Sequence, residues 1–512
     1  MSGRRILSDD EELMNGLGSE SVQFTSVGGN HMARTGSRWL AIDDTLADAL
    51  HSKLNTCKLA DGVHEPIEIQ ENTAPGQLYS TNSGKLFHAG KILIVLVGLP
   101  ATSKTLLSVA ITRYTRWLGV RTESFHASEY RKVQGPITDD TFSASPLTEE
   151  GIKWRTKIIE TVFNDMINFF QNTKGQLAIF DALNIKKIDR HNVRVRFSKL
   201  NVKVLFIESI ITNPKLVQHN IKTASRSSEF KDFTKEEAQD IYMARLMVNK
   251  PLYEEMTKDE ELCFVKYVNF GEQVIVHNMQ GSYLINKIVF FLMNLKNSKG
   301  SIYFARCGTS DEDKYVNDEL LNEEGIRYAK KLTDVVLDRV QFNKKSKSSS
   351  TLLMFDEITK VDKNNLTVFT AERKRTHDTG KFFDEEDIPV IQKSELKQLR
   401  PGIVADLSDE EIKAKYPIEY EASLKDPYHF RYPRAESYHD LAIRMEPLLL
   451  EMERMSQDIL IIGHESTLRV LYGYFMASTC FDLTNLQFPR NELVEISFTP
   501  FQNEVKRIPL EY

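Results

Sequence analysis

Two short stretches of this chain have the residue types and spacing that chemistry requires. In the first, Gly98-Leu99-Pro100-Ala101-Thr102-Ser103-Lys104-Thr105 joins an apolar run to a helical pattern. That context suits a loop whose backbone N–H groups cradle phosphates at a helix N-terminus. Lys104 would neutralise the phosphates, and Thr105 would hold Mg2+. The usual spacing, G-x-x-x-x-G-K-[ST], has a second glycine where this chain has Ser103. A Cβ there crowds backbone that must lie against phosphate, or disfavours the φ/ψ the loop needs. The alternative is an ordinary strand-turn-helix corner with an exposed lysine. Asp181 ends a second apolar run, where a carboxylate can hold Mg2+ or position a nucleophile. An Asp in that position also serves as a cap or turn residue.

The second stretch is split. Arg306-Cys307-Gly308 comes after the apolar run 301–305, and Gly463-His464-Glu465 after the run 459–462. A strand followed by Arg-His-Gly, with a distant strand followed by x-His, is the frame of the histidine phosphatases. There a neutral imidazole attacks phosphorus, arginines bind the phosphoryl oxygens, and a carboxylic acid protonates the leaving oxygen. Here the attacking position is Cys307. A thiolate beside Arg306 is nucleophilic, but cysteine phosphatases close a phosphate-binding loop around the thiol. Cys307 instead leads into Gly308-Thr309-Ser310-Asp311-Glu312-Asp313, and three carboxylates there would repel a polyanion. A buried structural thiol is the better reading.

These sites need strands and helices to position them. Ile92 to Val97, Gln176 to Phe180 and Val202 to Ile207 are apolar runs of the kind buried on both faces of a parallel sheet. Helical patterns at 105–117 and 152–170 alternate with them, which argues an α/β unit with right-handed crossovers. A helical run at 285–295 precedes a second α/β pattern, with strands at 301–305, 351–355, 366–370 and 459–462 and a helix ending in 447–455. Lys344 to Ser350 has the composition of a flexible surface insertion. Residues 1–85 read as a mostly disordered leader with one docking segment at Trp39 to Ile42. The domains are then 86–298 and 299–512.

Bulk properties exclude several classes. With 512 residues and a net charge of −6, no basic field exists to hold nucleic acid or an anionic membrane. No run of 18 apolar residues and no signal-peptide pattern occurs. Four scattered cysteines without a CxxC pair read as free thiols in a reducing compartment. The expectation is a cytoplasmic protein.

With both sites in this order, residues 91 to 512 resemble the bifunctional 6-phosphofructo-2-kinase/fructose-2,6-bisphosphatase family. The resemblance is carried by Gly98-Leu99-Pro100-Ala101 with Lys104-Thr105, Thr112-Arg113-Tyr114, Glu129-Tyr130-Arg131, Phe180-Asp181-Ala182 with Asn184, Phe206 to Ser209, Phe291 to Asn294, Lys374-Arg375-Thr376 and Arg431-Tyr432-Pro433. It implies an N-terminal P-loop kinase-like parallel-sheet domain and a C-terminal histidine-phosphatase-like, phosphoglycerate-mutase-like α/β domain. It also implies ATP with Mg2+, a sugar-phosphate substrate, and a homodimer joined through the kinase-like domains. Lys104 and Asp181 match kinase positions. Arg245 matches a fructose 6-phosphate arginine, and Arg306, Arg375, Arg431, Arg469 and His464 match phosphatase positions. The departures are as telling. Leu183 replaces a threonine, Asp189 and Glu123 replace arginines, Asn249 replaces a tyrosine, and 138–141 carries no catalytic lysine. Cys307 replaces the nucleophilic histidine, Gln398 the acid, and Asp313 an asparagine; a further arginine has no clear equivalent. Two readings remain: a catalytically silent regulator or binder, or a monofunctional kinase on fructose 6-phosphate or a related substrate.

Overall fold

The computed structural model describes residues 41–42, 74–76, 90–134, 142–173, 175–225, 230, 233–279, 282–296, 300–348, 365–498 and 503–511. Chain order begins with a two-residue strand, β1 (Ala41–Ile42), and a turn at 74–76 in which Pro75 and Gly76 are buried.

The first sheet is built around β2 (Lys91–Val97), whose last six residues are buried. It continues with β3 (Thr122–His126), β4 (Leu177–Asp181), β5 (Val202–Ile210), β6 (Phe264–Val268) and β7 (Gln273–His277). The order is β3-β4-β2-β5-β6-β7, parallel except for the antiparallel β6–β7 edge pair. Its helices are α1 (Lys104–Trp117), α2 (Ala127–Gln134), α3 (Glu149–Gln171), α4 (Lys187–Ser198), α5 (Pro214–Ala224), α6 (Lys235–Asn249) and α7 (Tyr283–Asn294). Thr148 caps α3, its hydroxyl accepting from Gly151 N–H at 3.0 Å. A phenylalanine cluster of Phe163, Phe169, Phe170, Phe180 and Phe197 fills one face of the sheet.

The second sheet has the order β1-β13-β12-β8-β11-β9-β10. Its parallel centre is β8 (Ile302–Arg306), β9 (Leu366–Thr370), β10 (Val390–Gln392) and β11 (Asp458–Gly463). Antiparallel β12 (Glu492–Phe498) and β13 (Asn503–Pro509) close one side. The helices are α8 (Glu323–Ser348), α9 (Lys374–Thr379), α10 (Lys381–Glu385), α11 (Asp409–Lys415), α12 (Pro417–Lys425), α13 (Tyr438–Arg454), α14 (Glu465–Phe475) and α15 (Cys480–Leu483).

Several expectations shift. Lys344 to Ser348 continues α8 rather than opening a loop. The strand expected at 351–355, and residues 138–141, lie outside the described residues. Of the leader, β1 pairs in parallel with Glu504–Val505. Gly76 N–H reaches Trp117 O at 3.0 Å, while the Tyr428 hydroxyl donates to Pro75 O at 2.5 Å. Pro75-Gly76 thus touches both halves.

The halves share one core. α1 and α7 of the first pack on α13 and α14 of the second. Tyr114 stacks on Phe291 at 4.4 Å, and Trp117 meets Tyr474 edge-on at 5.5 Å. Within this seam Arg113 pairs with the fully buried Glu453, which also accepts from Tyr474 Oη at 2.8 Å. Glu446 accepts from Tyr114 Oη at 2.8 Å and from Lys287 Nζ at 2.5 Å. Among the described residues, no helix is long and apolar enough to cross a membrane.

Candidate functional sites

The carboxyl ends of β2, β3 and β4 meet, as ligand crevices in open parallel sheets require. β2 delivers the 98–105 loop, β4 delivers Asp181, and β3 delivers His126. Gly98 has φ 144°, and a Cβ there would lie 2.6 Å from Ser209 O, so only glycine fits. Ala101 and Ser103 sit in the left-handed region at φ 64° and 60°, each at a cost on the order of 1 kcal/mol. Side chains from elsewhere hold that geometry. Asn220 Nδ2 donates to Ala101 O at 2.7 Å, Ser209 Oγ to Thr102 O at 2.6 Å, and Thr102 Oγ1 to Leu99 O at 2.8 Å. These contacts hold Ser103 in a left-handed backbone without a second glycine.

Lys104 is buried and turns back onto the loop, donating to Gly98 O at 2.8 Å and Leu99 O at 2.6 Å. Burial is the main reason its pKa falls to about 8; Asp181 opposes the fall and Arg131 adds to it. Asp181 Oδ2 accepts from Thr105 Oγ1 at 2.7 Å and lies 2.8 Å from His126 Nδ1. Burial pushes the Asp181 carboxyl up, but His126, Lys104 and the Thr105 hydroxyl together hold it below the usual range. The Thr105 hydroxyl and Asp181 carboxylate are oxygen donors of the kind that would hold Mg2+, and Lys104 carries charge suited to a phosphate. His126 was not anticipated, because the polar strand that carries it lacks an apolar run.

The sugar-phosphate candidates of this half are differently employed. Asp189 pairs with Arg155 at 2.8 Å. Asn249 is fully buried and pins residues 142–144: its amide donates to Phe142 O at 2.9 Å and accepts from Ala144 N–H at 2.8 Å. The Arg245 guanidinium lies flat over the Phe142 ring at 3.4 Å. Leu183 gives its carbonyl to Gly98 N–H at 3.1 Å. Neighbouring Arg190 is fully buried and bidentate to Glu260 at 2.7 and 2.8 Å, a structural fork.

In the second sheet, β8 and β11 end side by side, joined by Cys307 N–H to Gly463 O at 3.0 Å. Cys307 is fully buried, with Sγ 3.7 Å from His464 Nδ1. Thr376 Oγ1 lies 3.4 Å from His464 Nε2. Burial, then Arg375, Arg373, Arg306 and Arg490, drive the His464 pKa well below its ordinary value, so the imidazole is neutral. Arg375 is buried and donates to Ser310 Oγ at 3.3 Å and to the Asp313 carboxylate. Arg490 donates to Cys307 O at 3.0 Å and to Asp313 Oδ2 at 2.9 Å. Gln398 stands close by, since Leu399 N–H reaches Ser466 Oγ at 3.5 Å in the first turn of α14; its Oε1 is buried.

Two expected ligands are engaged in contacts with other protein groups. The Arg431 side chain is 66% exposed and lies 3.5 Å from Asp440. Arg469 is a strut, donating to Leu486 O at 2.6 Å, Tyr438 Oη at 2.8 Å and Glu465 at 3.1 Å. Arg490 and Arg373 were missed. Arg490 is distant from Cys307 in sequence, and only the fold brings it there.

The comparisons with known proteins match both halves of the chain. The 6-phosphofructo-2-kinase profile matches residues 79–299, and the histidine phosphatase superfamily (branch 1) profile matches 357–510. A Saccharomyces cerevisiae protein named as a candidate 6-phosphofructo-2-kinase/fructose-2,6-bisphosphatase is 57% identical over 99% of both chains. The fructose-2,6-bisphosphatase of the same yeast is 30% identical, covering 82% of this chain and 88% of its own. The human 6-phosphofructo-2-kinase/fructose-2,6-bisphosphatase 3 is also 30% identical, covering 82% of this chain and 76% of its own. This chain belongs to the 6-phosphofructo-2-kinase/fructose-2,6-bisphosphatase family.

Proposed function

We propose that this family member is a regulatory or binding protein of fructose 2,6-bisphosphate metabolism that catalyses neither family reaction efficiently. The observation that carries the reading is Cys307, buried 3.7 Å from His464 at the end of β8, where the attacking imidazole would stand. With Cys307 and Gln398 at the positions the family gives to its nucleophile and acid, those two positions supply neither an attacking imidazole nor a carboxylic acid. The neutral His464 and the arginines are suited to holding a phosphorylated ligand rather than cleaving it.

In the first half Lys104, Thr105 and Asp181 would hold MgATP, whose ion would supply positive charge to the phosphates. Lys104 would exchange its loop carbonyls for phosphate oxygens, and Asp181 would keep the Thr105 hydroxyl oriented. Recognition of fructose 6-phosphate is what suffers. Asp189 faces Arg155 with the opposite charge to the arginine it replaces, and the Asn249 amide is consumed by the 142–144 backbone. Each lost charge pair removes about 10²-fold or more in rate. The edge of β7 supports a homodimer joined through this half. The free Cys263, Cys307 and Cys480 accord with a cytoplasmic setting.

A second reading, a monofunctional kinase, rests on the 2.7 Å Thr105–Asp181 contact beside Lys104. A coupled assay for fructose 2,6-bisphosphate formation from ATP and fructose 6-phosphate separates the two, with Lys104→Ala as control. The expected rate equals the control, and fructose 2,6-bisphosphate incubated with the protein is not hydrolysed. Synthesis that the control abolishes would establish the kinase; hydrolysis would overturn the phosphatase half of the reading.

A further inference from the structure

The arginine pocket of the second half already holds an anion, and that anion belongs to the chain. Of the Asp311-Glu312-Asp313 run, Asp313 is the carboxylate that reaches the pocket's arginines, its side chain still 40% exposed. Asp311 is exposed and Glu312 pairs with Lys314 at 2.8 Å. The Asp313 carboxylate bridges Arg375, whose side chain is 5% exposed, and Arg490. Two largely buried guanidinium groups cannot stay without a counter-charge. One carboxylate gives them a single negative charge; a phosphate ester dianion offers two charges and three acceptor oxygens. Arg375 Nε, Arg306 Nε and Arg373 Nη1 are buried with no hydrogen-bond partner among the described residues. These donors around the same histidine fit a group richer in acceptors than a carboxylate.

The segment that carries Asp313 is built to move as a unit. Its ends are stapled together, Asn322 N–H to Thr309 O at 3.1 Å and Thr309 Oγ1 to Asn322 Oδ1 at 2.7 Å. Such a closed surface loop is internally packed. Between the staples, carboxylates hold it: Glu319 accepts from Glu312 and Asp313 N–H, each at 3.2 Å, and Asp318 from Lys374 N–H at 3.0 Å. Asp406 accepts from Tyr315 N–H at 2.5 Å and Val316 N–H at 3.0 Å. Arg373 lies over the Tyr315 ring at 4.6 Å and donates to its carbonyl.

We propose that Asp313 is a built-in competitor for the Arg375–Arg490 pocket. A phosphate ester enters only by displacing this carboxylate, and entry loosens the 309–322 loop. The proposal rests on the binding role argued above and adds to it a self-occupied state and a coupled loop. A ligand-bound chain would thus display a different surface from a free one, which is what a sensor of phosphorylated metabolites needs.

The test measures affinity for fructose 2,6-bisphosphate and for inorganic phosphate by calorimetry on the full chain. Asp313→Asn removes the competing charge and suits the left-handed φ of 54°, so the fold is retained. The expected result is binding at least tenfold tighter than wild type. Asp406→Asn frees the loop from outside the pocket and is expected to tighten binding by a smaller factor. In the wild type, fructose 2,6-bisphosphate is expected to speed tryptic cleavage after the exposed Lys314. Equal or weaker binding by Asp313→Asn, with wild type binding measurably, overturns the competitor while leaving the pocket. Absence of binding by all three folded proteins overturns the pocket as well.

Discussion

Ser103 and Lys104 show how a changed residue is accommodated. Ser103 keeps the left-handed backbone that a glycine would adopt freely, because Ser209 and Asn220 fix the two carbonyls that precede it. Strain of this kind persists where surroundings over-determine it. Lys104 carries a second cost, a charge buried against its own loop. Its folded pKa of about 8 lies below the 10.5 of an exposed lysine. Between those values the unfolded chain binds the proton and the folded chain does not, so this group makes stability rise with pH across that window. Wild-type protein should gain up to about 3 kcal/mol relative to Lys104→Met between about pH 7.5 and 10.5. Denaturant titrations at several pH values check this, and parallel curves for the two proteins would refute it. Under the proposed nucleotide binding, a phosphate would supply the counter-charge that the loop carbonyls replace only in part.

Elements were legible where burial leaves a continuous apolar signature. β2, β4, β5, β8, β9 and β11 are central parallel strands, and their apolar runs place both sites at their ends. β3, β7 and β13 gave no such signal. β3 reads Thr-Glu-Ser-Phe-His at a sheet edge, and β13 reads Asn-Glu-Val-Lys-Arg-Ile-Pro beside only the two-residue β1, because strands at or next to an edge tolerate polar side chains. That blind spot hid His126, which rides on β3. Arg490 was illegible for another reason: it precedes β12 and meets Cys307 only through the fold. Arg431 and Arg469 carried family positions but are spent on a surface contact and a strut, which spacing alone cannot distinguish. β7 has a consequence of its own. Among the described residues it pairs with β6 alone, and Ile275 and Val276 are 41% and 44% exposed. An apolar strand edge with unpaired backbone groups invites a second strand. If two chains join there, Ile275→Lys converts a dimer to a monomer in sedimentation velocity. A wild-type monomer, or an unaffected dimer, would move the interface elsewhere.

Across the whole molecule, the seam between halves decides how the chain unfolds. Arg113 and Glu453 are a buried ion pair in that seam, supported by the Tyr474 hydroxyl and by cation–π contact of Arg113 with Tyr474 at 5.2 Å. Neutralising one partner leaves the other charge buried, at a cost of about 3–5 kcal/mol. Glu453→Gln should lower the unfolding midpoint by an amount of that order, with Trp117 fluorescence reporting the seam directly. Wild type should lose both halves in one transition, and two well-separated transitions in wild type would contradict a common core. Pro75-Gly76 adds a strap: its backbone is held by Trp117 on one side and Tyr428 on the other.

The shared core also constrains how such a chain can change over generations. Leu448, Tyr474 and Glu453 of the second half bury Tyr114, Trp117 and Arg113 of the first. Substitutions at Cys307 or Gln398 touch none of these contacts. Deleting the second half would expose an aromatic face and strand a charge in the half that remains. Selection on the first half's folding therefore preserves the second half's scaffold whatever becomes of its chemistry. A lineage can let one reaction decay and still be obliged to inherit the domain that housed it.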